Sequence, residues 1–210
     1  MEEQAEQPSE YRGEDTEHTE DTAPRRGRFL GEVWEIAKVL LISAAVVLPI
    51  RYFIAQPFIV RGASMEPSFE DREYLIIDEI SYYLRLPRRG EPVVFRYPKD
   101  RSQFFIKRII GLPGDRVEIR NGKIKIFNAA YPEGFTLDEE YLNPPDRPTR
   151  PDYSVTLGKE QYVVLGDNRD FSSDSRVWGP LDRAFLVGRA VFRAWPADRF
   201  GAIPHSALDF

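Results

Sequence analysis

Cysteine is absent from this 210-residue chain, and histidine occurs only twice, at His18 and His205. Without thiols there can be no disulfide framework, no cysteine nucleophile and no cysteine-ligated zinc or iron–sulfur site. A histidine-rich metal site is excluded too. A Ser-His-Asp triad would have to recruit its histidine from one extreme end of the chain. Lysine is scarce as well, six residues against 23 arginines. Any hydrolytic chemistry is therefore left with lysine and carboxylates as its bases. What is present suffices for one ordinary domain with appendages. Hydrophobic residues make up 42% and charged residues 30%, so most of the chain can build a core.

The net charge of −5 is unevenly spread. Residues 1–24 hold nine acids and one base, Arg12, a local charge of −8, which leaves the remainder at +3. The basic residues of that remainder are scattered rather than striped, so no nucleic-acid partner is expected. Residues 1–24 carry almost no apolar side chains. Such a segment cannot bury enough surface to offset its chain entropy, and it is expected to be disordered.

The composition then changes sharply. Arg25, Arg26 and Arg28 precede Phe29, Leu30 and Trp34, and from Ile36 to Ile54 the chain is apolar except for Lys38, Ser43 and Arg51. The charge-free run Val39–Ile50 has 12 residues, short of the roughly 20 that a bilayer span needs. Lys38 and Arg51 can snorkel to the two interfaces, with Trp34 and Tyr52 in the aromatic belts. Residues 34–54 then span about 31 Å of helix. The alternative is a buried core helix of a soluble domain. No small-x-small cleavage pattern lies just beyond the apolar stretch, so it reads as an uncleaved anchor rather than a signal peptide. Basic residues crowd its N-terminal flank, which places the N-terminus in the cytoplasm and the C-terminal part outside.

Beyond Phe58 the pattern is of short strands. Residues 74–77, 92–95, 104–110, 117–119, 123–127, 162–165 and 187–192 are β-rich runs bounded by Gly, Pro or Asp. Asn121-Gly122 between two of them signals a type I′ hairpin. Residues 129–160 hold Pro144, Pro145, Pro148 and Pro151 and read as a loop-like excursion.

Three segments could carry chemistry. In Gly62-Ala63-Ser64-Met65-Glu66-Pro67-Ser68 a serine sits between small residues and a Met-x-Pro, although an ordinary turn would look the same. In residues 104–115, Lys107 lies within an apolar strand and shares a face with Phe105 and Ile109 at period 2. Burial of that face would lower its pKa and leave a neutral amine as a base. An edge-strand lysine that guards against aggregation is the alternative. The third segment, residues 166–176, gathers Asp167, Asn168, Arg169, Asp170, Ser172, Ser173, Asp174 and Arg176 after an apolar strand. It reads as a hydrogen-bonded turn network or as support for acid–base work. The spacing of an EF-hand calcium loop is absent.

Together the three segments resemble the bacterial type I signal peptidases (leader peptidases), over roughly residues 30–200 and in the right order. The resemblance rests on Gly-x-Ser-Met-x-Pro, Lys-Arg-x-x-Gly-x-Pro-Gly-Asp and Gly-Asp-Asn-Arg-Asp-x-Ser-x-Asp-Ser-Arg, with an anchor just upstream of the serine. It implies a mainly β fold, a signal-peptidase-like domain of antiparallel sheets preceded by one transmembrane helix. It also implies a membrane-anchored serine endopeptidase that cuts signal peptides from exported preproteins after small residues of the Ala-x-Ala type. Ser64 matches the nucleophile and Lys107 the general base. Ser172 and Asp174 match positions that orient the lysine, and Asp167 and Arg176 match structural members of the same network. Phe58, Val60 and Ile106 fall where the family lines its substrate pocket. Some members carry a serine two residues before the nucleophile, whose hydroxyl joins the oxyanion hole, but Gly62 stands there here.

On this reading residues 1–28 are an acidic tail with a basic flank, 29–55 the single-pass anchor, and 56–210 an extracytoplasmic catalytic β domain. The short excursion at 129–160 resembles the compact branch of the family. No metal or cofactor is expected. The partners are preprotein signal peptides, the lipid bilayer and the protein translocation machinery, and exposed aromatics of the catalytic domain would dip into lipid. Competing readings are a self-cleaving Ser–Lys protease of the SOS-repressor type, which wants a DNA-binding module that residues 1–24 cannot form, and a decayed membrane protein that binds signal peptides without turnover.

Overall fold

The computed structural model describes residues 25–49, 56–145 and 147–204. The acidic tail, the last residues of the expected anchor and His205 fall outside them. Helix α1 runs from Arg25 to Pro49. Among the described residues no helix is long and apolar enough to cross a membrane. The reason is visible in α1, whose first half carries Glu32, Glu35 and Lys38 besides three arginines. Lys38 Nζ pairs with Glu35 at 2.6 Å. The second half is apolar, and Val39, Leu41, Ile42, Val47 and Leu48 are all more than half exposed.

The remainder is mainly β, and every strand pairing is antiparallel. In chain order the elements are β1 (Gln56–Ile59), β2 (Tyr74–Asp78), the short helix α2 (Ser81–Leu84), β3 (Pro92–Tyr97), β4 (Asp100–Gly111), β5 (Arg116–Arg120), β6 (Lys123–Phe127), β7 (Phe135–Thr136), β8 (Tyr153–Thr156), β9 (Gln161–Leu165), the short helix α3 (Ser175–Trp178), β10 (Leu181–Asp182), β11 (Leu186–Trp195) and β12 (Gly201–Ala202).

The larger sheet has the order β1-β2-β11-β3-β4-β9-β10, with β12 added to β11. Strand β11 thus sits between β2 and β3, joining Ala190 to Ile77 on one side and Leu186 to Phe95 on the other. The smaller sheet has the order β7-β6-β5-β8. Its β5–β6 turn has Asn121 at φ 53° and Gly122 at φ 78°, as the Asn-Gly hairpin signal requires. Residues 129–160, expected to be a loop-like excursion, instead supply β7 and β8. Pro144, Pro145, Pro148 and Pro151 cluster between those two strands, where no ladder N–H is needed.

Alternation along the strands divides the apolar side chains among three clusters. Val117, Ile119, Ile124 and Ile126 of the smaller sheet pack with Ile110, Val163 and Leu165 of the larger. Val60, Met65, Phe69, Leu75, Ile77 and Val94 form a second cluster beneath the loop after β1. Val93, Phe95, Ile109, Tyr162 and Val164 form a third. Residues 107–111 at the end of β4 are buried on both faces, because the smaller sheet covers one side and the larger sheet's own cluster fills the other.

Candidate active site

Ser64 lies in the compact turn that follows β1. Gly62 opens the turn at φ 82°, a left-handed conformation that suits glycine. Its N–H donates to Asp71 Oδ1 at 2.7 Å. Further on, Phe69 N–H donates to the Met65 carbonyl at 2.9 Å, and the buried Met65 and Phe69 side chains root the turn in the core beneath. Ser64 itself is therefore held at the surface of a packed cluster.

Lys107 enters from β4. This strand lies inside the sheet, with Lys107 paired to Val93 of β3 and Arg108 to Leu165 of β9, so the edge-strand account of the lysine does not hold. The Lys107 residue is only 3% exposed. Its Nζ lies 2.6 Å from Ser64 Oγ and donates to its neighbour's carbonyl, Ile106 O, at 2.8 Å. Burial pushes the ammonium pKa down from 10.5 to about 8, against the opposing pull of the Asp174 and Asp167 carboxylates. Desolvation wins because each carboxylate already faces its own arginine.

Those arginines form bidentate pairs. Arg176 donates through Nε and Nη2 to Asp174 at 2.8 and 2.7 Å. Arg108 donates through Nε and Nη2 to Asp167 at 2.9 and 2.6 Å. Burial alone would push Asp174 up, but the Arg176 guanidinium and the Gly166 N–H hold it below the usual carboxylate range. Asp174 also caps α3, accepting from Arg176 N–H. Arg108 further donates to the Gly90 carbonyl and stands 4.0 Å from the Tyr141 ring centroid.

The loop of residues 166–176 closes on the serine turn through Asn168. Its backbone N–H donates to the Ser64 carbonyl at 3.1 Å and its Nδ2 to the Ala63 carbonyl at 3.0 Å. A Cβ on Gly166 would overlap both the Ser64 carbonyl oxygen and the Ser172 side chain, so only glycine allows that approach. Arg169 is fully buried and anchors the loop from behind. It donates to the Gly166 carbonyl at 3.0 Å and grips Glu139 at 2.8 and 2.5 Å.

Six of the residues singled out by sequence, Ser64, Lys107, Asp167, Ser172, Asp174 and Arg176, thus meet in one place. Ser172 Oγ stands apart in its bonding. It is buried without a partner at ordinary hydrogen-bond geometry, although its hydroxyl helps hold the Asp174 carboxylate ionised. No hydrogen bond links it to Lys107. Phe58, Val60 and Ile106 line an open groove of about 760 Å³ that also contains Ser64 and Lys107. The strand pattern puts Arg108 on a face but does not reveal its pairing with Asp167, and nothing in the sequence alone assigns a task to Asn168. Only Lys-Arg and Gly-Asp-Asn as adjacent pairs hinted that both members of each act at the site.

The arrangement places a hydroxyl beside an amine of depressed basicity, at the edge of an apolar groove. Comparison with known proteins shows the family of the chain. Residues 33–195 match the family model described as "Signal peptidase, peptidase S26". The chain is 40% identical over 178 residues to a "Probable signal peptidase I-2" of Synechocystis sp., covering 82% of this chain and 78% of that one. It is 34% identical over 180 residues to "Signal peptidase IB" of Staphylococcus aureus, covering 76% of this chain and 90% of that one. A crystal structure of a signal peptidase I from Enterococcus faecalis is 31% identical and covers 50% of this chain and 97% of that one, with a TM-score of 0.43.

Proposed function

The chain belongs to the peptidase S26 family of signal peptidases, and from that premise we propose that Ser64 and Lys107 are the catalytic dyad with which it cleaves preproteins. Enzymes of this family are serine proteases that process signal peptides, and the chain is a hydrolase of that kind. The observation that carries the dyad is the 2.6 Å approach of Lys107 Nζ to Ser64 Oγ in a buried setting. A serine hydroxyl needs an adjacent base, and a desolvated lysine supplies one where no histidine is at hand.

In the proposed reaction Ser64 Oγ attacks the carbonyl carbon of the scissile bond while its proton passes to neutral Lys107 Nζ. The tetrahedral intermediate collapses with cleavage of the C–N bond, and the lysine proton goes to the departing amine of the mature protein. The signal peptide remains as an ester on Ser64. Lys107, neutral again, takes a proton from water, whose oxygen attacks the ester. The bond from the carbonyl carbon to Ser64 Oγ then breaks, the lysine proton returns to that oxygen, and the peptide leaves as an acid that ionises to its carboxylate. The Ser64 N–H makes no hydrogen bond among the described residues, which leaves it able to donate to the oxyanion. Gly62 has no side-chain donor to add, and its own N–H is engaged by Asp71.

Asp174 with Arg176 and Asp167 with Arg108 act through position. They fix the loop that covers Lys107 and keep two compensated carboxylates near it. Phe58, Val60 and Ile106 form the apolar walls against which an extended segment with small side chains, of the Ala-x-Ala type, would lie.

Members of the family are typically membrane-associated. We propose a single-pass anchor over residues 29–55, with the N-terminus cytoplasmic and residues 56–210 outside. It is supported by the exposed apolar second half of α1 and by the basic N-terminal flank. An enzyme so held would meet preproteins as they leave the translocation machinery.

The test is cleavage of a preprotein whose signal peptide ends in Ala-x-Ala by purified full-length enzyme in liposomes. Ser64→Ala and Lys107→Ala should each lose at least about a thousandfold in kcat/KM, the scale of a lost nucleophile or base. Lys107→Arg should be equally inactive, because arginine keeps its charge. Near-wild-type activity in any of the three would sink the dyad.

A further inference from the structure

The groove beside Ser64 has a charge pattern that general signal-peptide cleavage does not explain. Only two of its lining residues are charged, Arg61 and Lys107, and both are cationic. Lys107 is buried and faces Ser64. Arg61 is exposed, three residues before the nucleophile, where β1 leads into the serine turn. Among the described residues it makes no hydrogen bond or ion pair, whereas most other arginines of the domain are bound to carboxylates or carbonyls.

Most carboxylates close to this region are engaged elsewhere, and among the described residues none is paired with Arg61. Asp167 and Asp174 lie behind the dyad, each held bidentate by an arginine. Glu66, the nearest acid along the chain, forms no ion pair with Arg61 and does not line the groove, and Asp71 accepts the Gly62 N–H and stands 3.5 Å from Arg72. On the opposite wall Asp100 accepts from Ser102 N–H, Ser102 Oγ and Gln103 Nε2 at 3.0, 2.7 and 2.7 Å. Ser102 and Gln103 line the groove, but Asp100 does not, and it lies seven residues before Lys107 on β4. The Ser64 end of the groove therefore carries one persistent positive charge with no ion-pair partner among the described residues.

We infer that Arg61 is a specificity-determining residue, selecting preproteins whose cleavage region carries an acidic side chain and disfavouring those with a basic one at the same place. The chemistry is simple. A peptide seated in the groove displaces water from around Arg61, which strengthens its interaction with any nearby charge of the peptide. A carboxylate there becomes the missing counterion, and an ammonium is repelled. Apolar contacts with Phe58 and Ile106 are unaffected by that choice, so small-residue selection and charge selection are separate.

The inference rests on the reading of this groove as the preprotein site. The experiment uses the full-length enzyme in neutral-lipid vesicles and fluorogenic peptides that share one Ala-x-Ala core. Each of the five positions on either side of the cleaved bond is changed in turn to Glu, Gln or Lys. In the wild type one contiguous stretch should favour Glu over Lys by about fivefold or more in kcat/KM, the scale of one partly exposed ion pair counted for both signs. The ratio should shrink in high salt. It should persist in Arg61→Lys, flatten in Arg61→Gln and invert in Arg61→Glu. Because the ratio is taken within each variant, a general loss of activity cancels. A wild type without a Glu preference at any position overturns the inference, as does a preference that survives in Arg61→Glu. Failure to cleave even the uncharged peptides would instead sink the preprotein reading itself.

Discussion

Lys107 is the one buried lysine of the six, and its burial sets both its chemistry and its cost. With a pKa of about 8, most of it is protonated at neutral pH. On the dyad reading, kcat/KM for an uncharged peptide should therefore rise about tenfold per pH unit below 8 and level off above it. A profile that is flat between pH 6 and 8 would contradict a lysine base. The same shift acts on stability with a definite sign. The unfolded chain binds the Lys107 proton up to a pKa near 10.5 and the folded chain only to about 8. Between those values the unfolded state holds more protons, so stability rises with pH. Below pH 8 the full cost applies, about 3 kcal/mol by the usual conversion, and above 10.5 none remains. Inactive Lys107→Met should thus resist urea better than the wild type at pH 7, and the advantage should fade as pH climbs from 8 to 10.5. An advantage independent of pH would assign it to packing rather than charge.

At the scale of elements, the loop of residues 166–176 is held from two sides. Asn168 binds it to the serine turn, and Arg169 binds it to Glu139 in the segment between β7 and β8. Glu139→Ala leaves a fully buried guanidinium without its carboxylate and should cost about 3–5 kcal/mol in urea unfolding. Gly166→Ala should be worse for activity than for folding, since its Cβ displaces the Ser64 carbonyl directly. A loss of at least about tenfold in kcat is expected, with the protein still folded by circular dichroism. Retained kcat would show that the turn can shift freely.

Much of this architecture was legible because local patterns carry it. Strands β2, β3, β6 and β9 announce themselves by branched and aromatic residues between Gly, Pro and Asp, and the Asn121-Gly122 turn by its need for positive φ. Strand β1 was missed because Pro57 lies within it, a residue that only an edge strand accommodates. Strands β7 and β8 are two and four residues long, too short for alternation to register among prolines. The three catalytic-type motifs could be read, but not who pairs with whom. Arg108 finds Asp167 across 59 positions and Asn168 finds Ala63 across 105, and no periodicity encodes such partners. Nor could alternation show that β4 is buried on both faces at Lys107, since that depends on which sheets cover it.

At the scale of the whole molecule, the proposed anchor and the β domain make separate predictions. Fractionation should find the full chain with membranes, resistant to carbonate extraction. Release of the chain by carbonate or high salt would replace the anchor with a peripheral attachment. The basic flank gives the orientation its own test. A protease added outside right-side-out vesicles should reach the β domain but spare the acidic tail.

The place of β11 in the larger sheet bears on when this enzyme first becomes dangerous. Strands β1 and β2 carry the serine turn, strands β3 and β4 carry the lysine, and among the described residues β11 is the strand that joins these two halves. It is also the last long strand to leave the ribosome. A nascent chain that already contains Ser64, Lys107 and the whole 166–176 loop has yet to receive the wedge that sets them face to face. Interrupted synthesis before residue 186 should therefore release inert fragments, not loose proteases. A protein that cuts other chains is, by this order of assembly, unarmed until its own translation is almost complete.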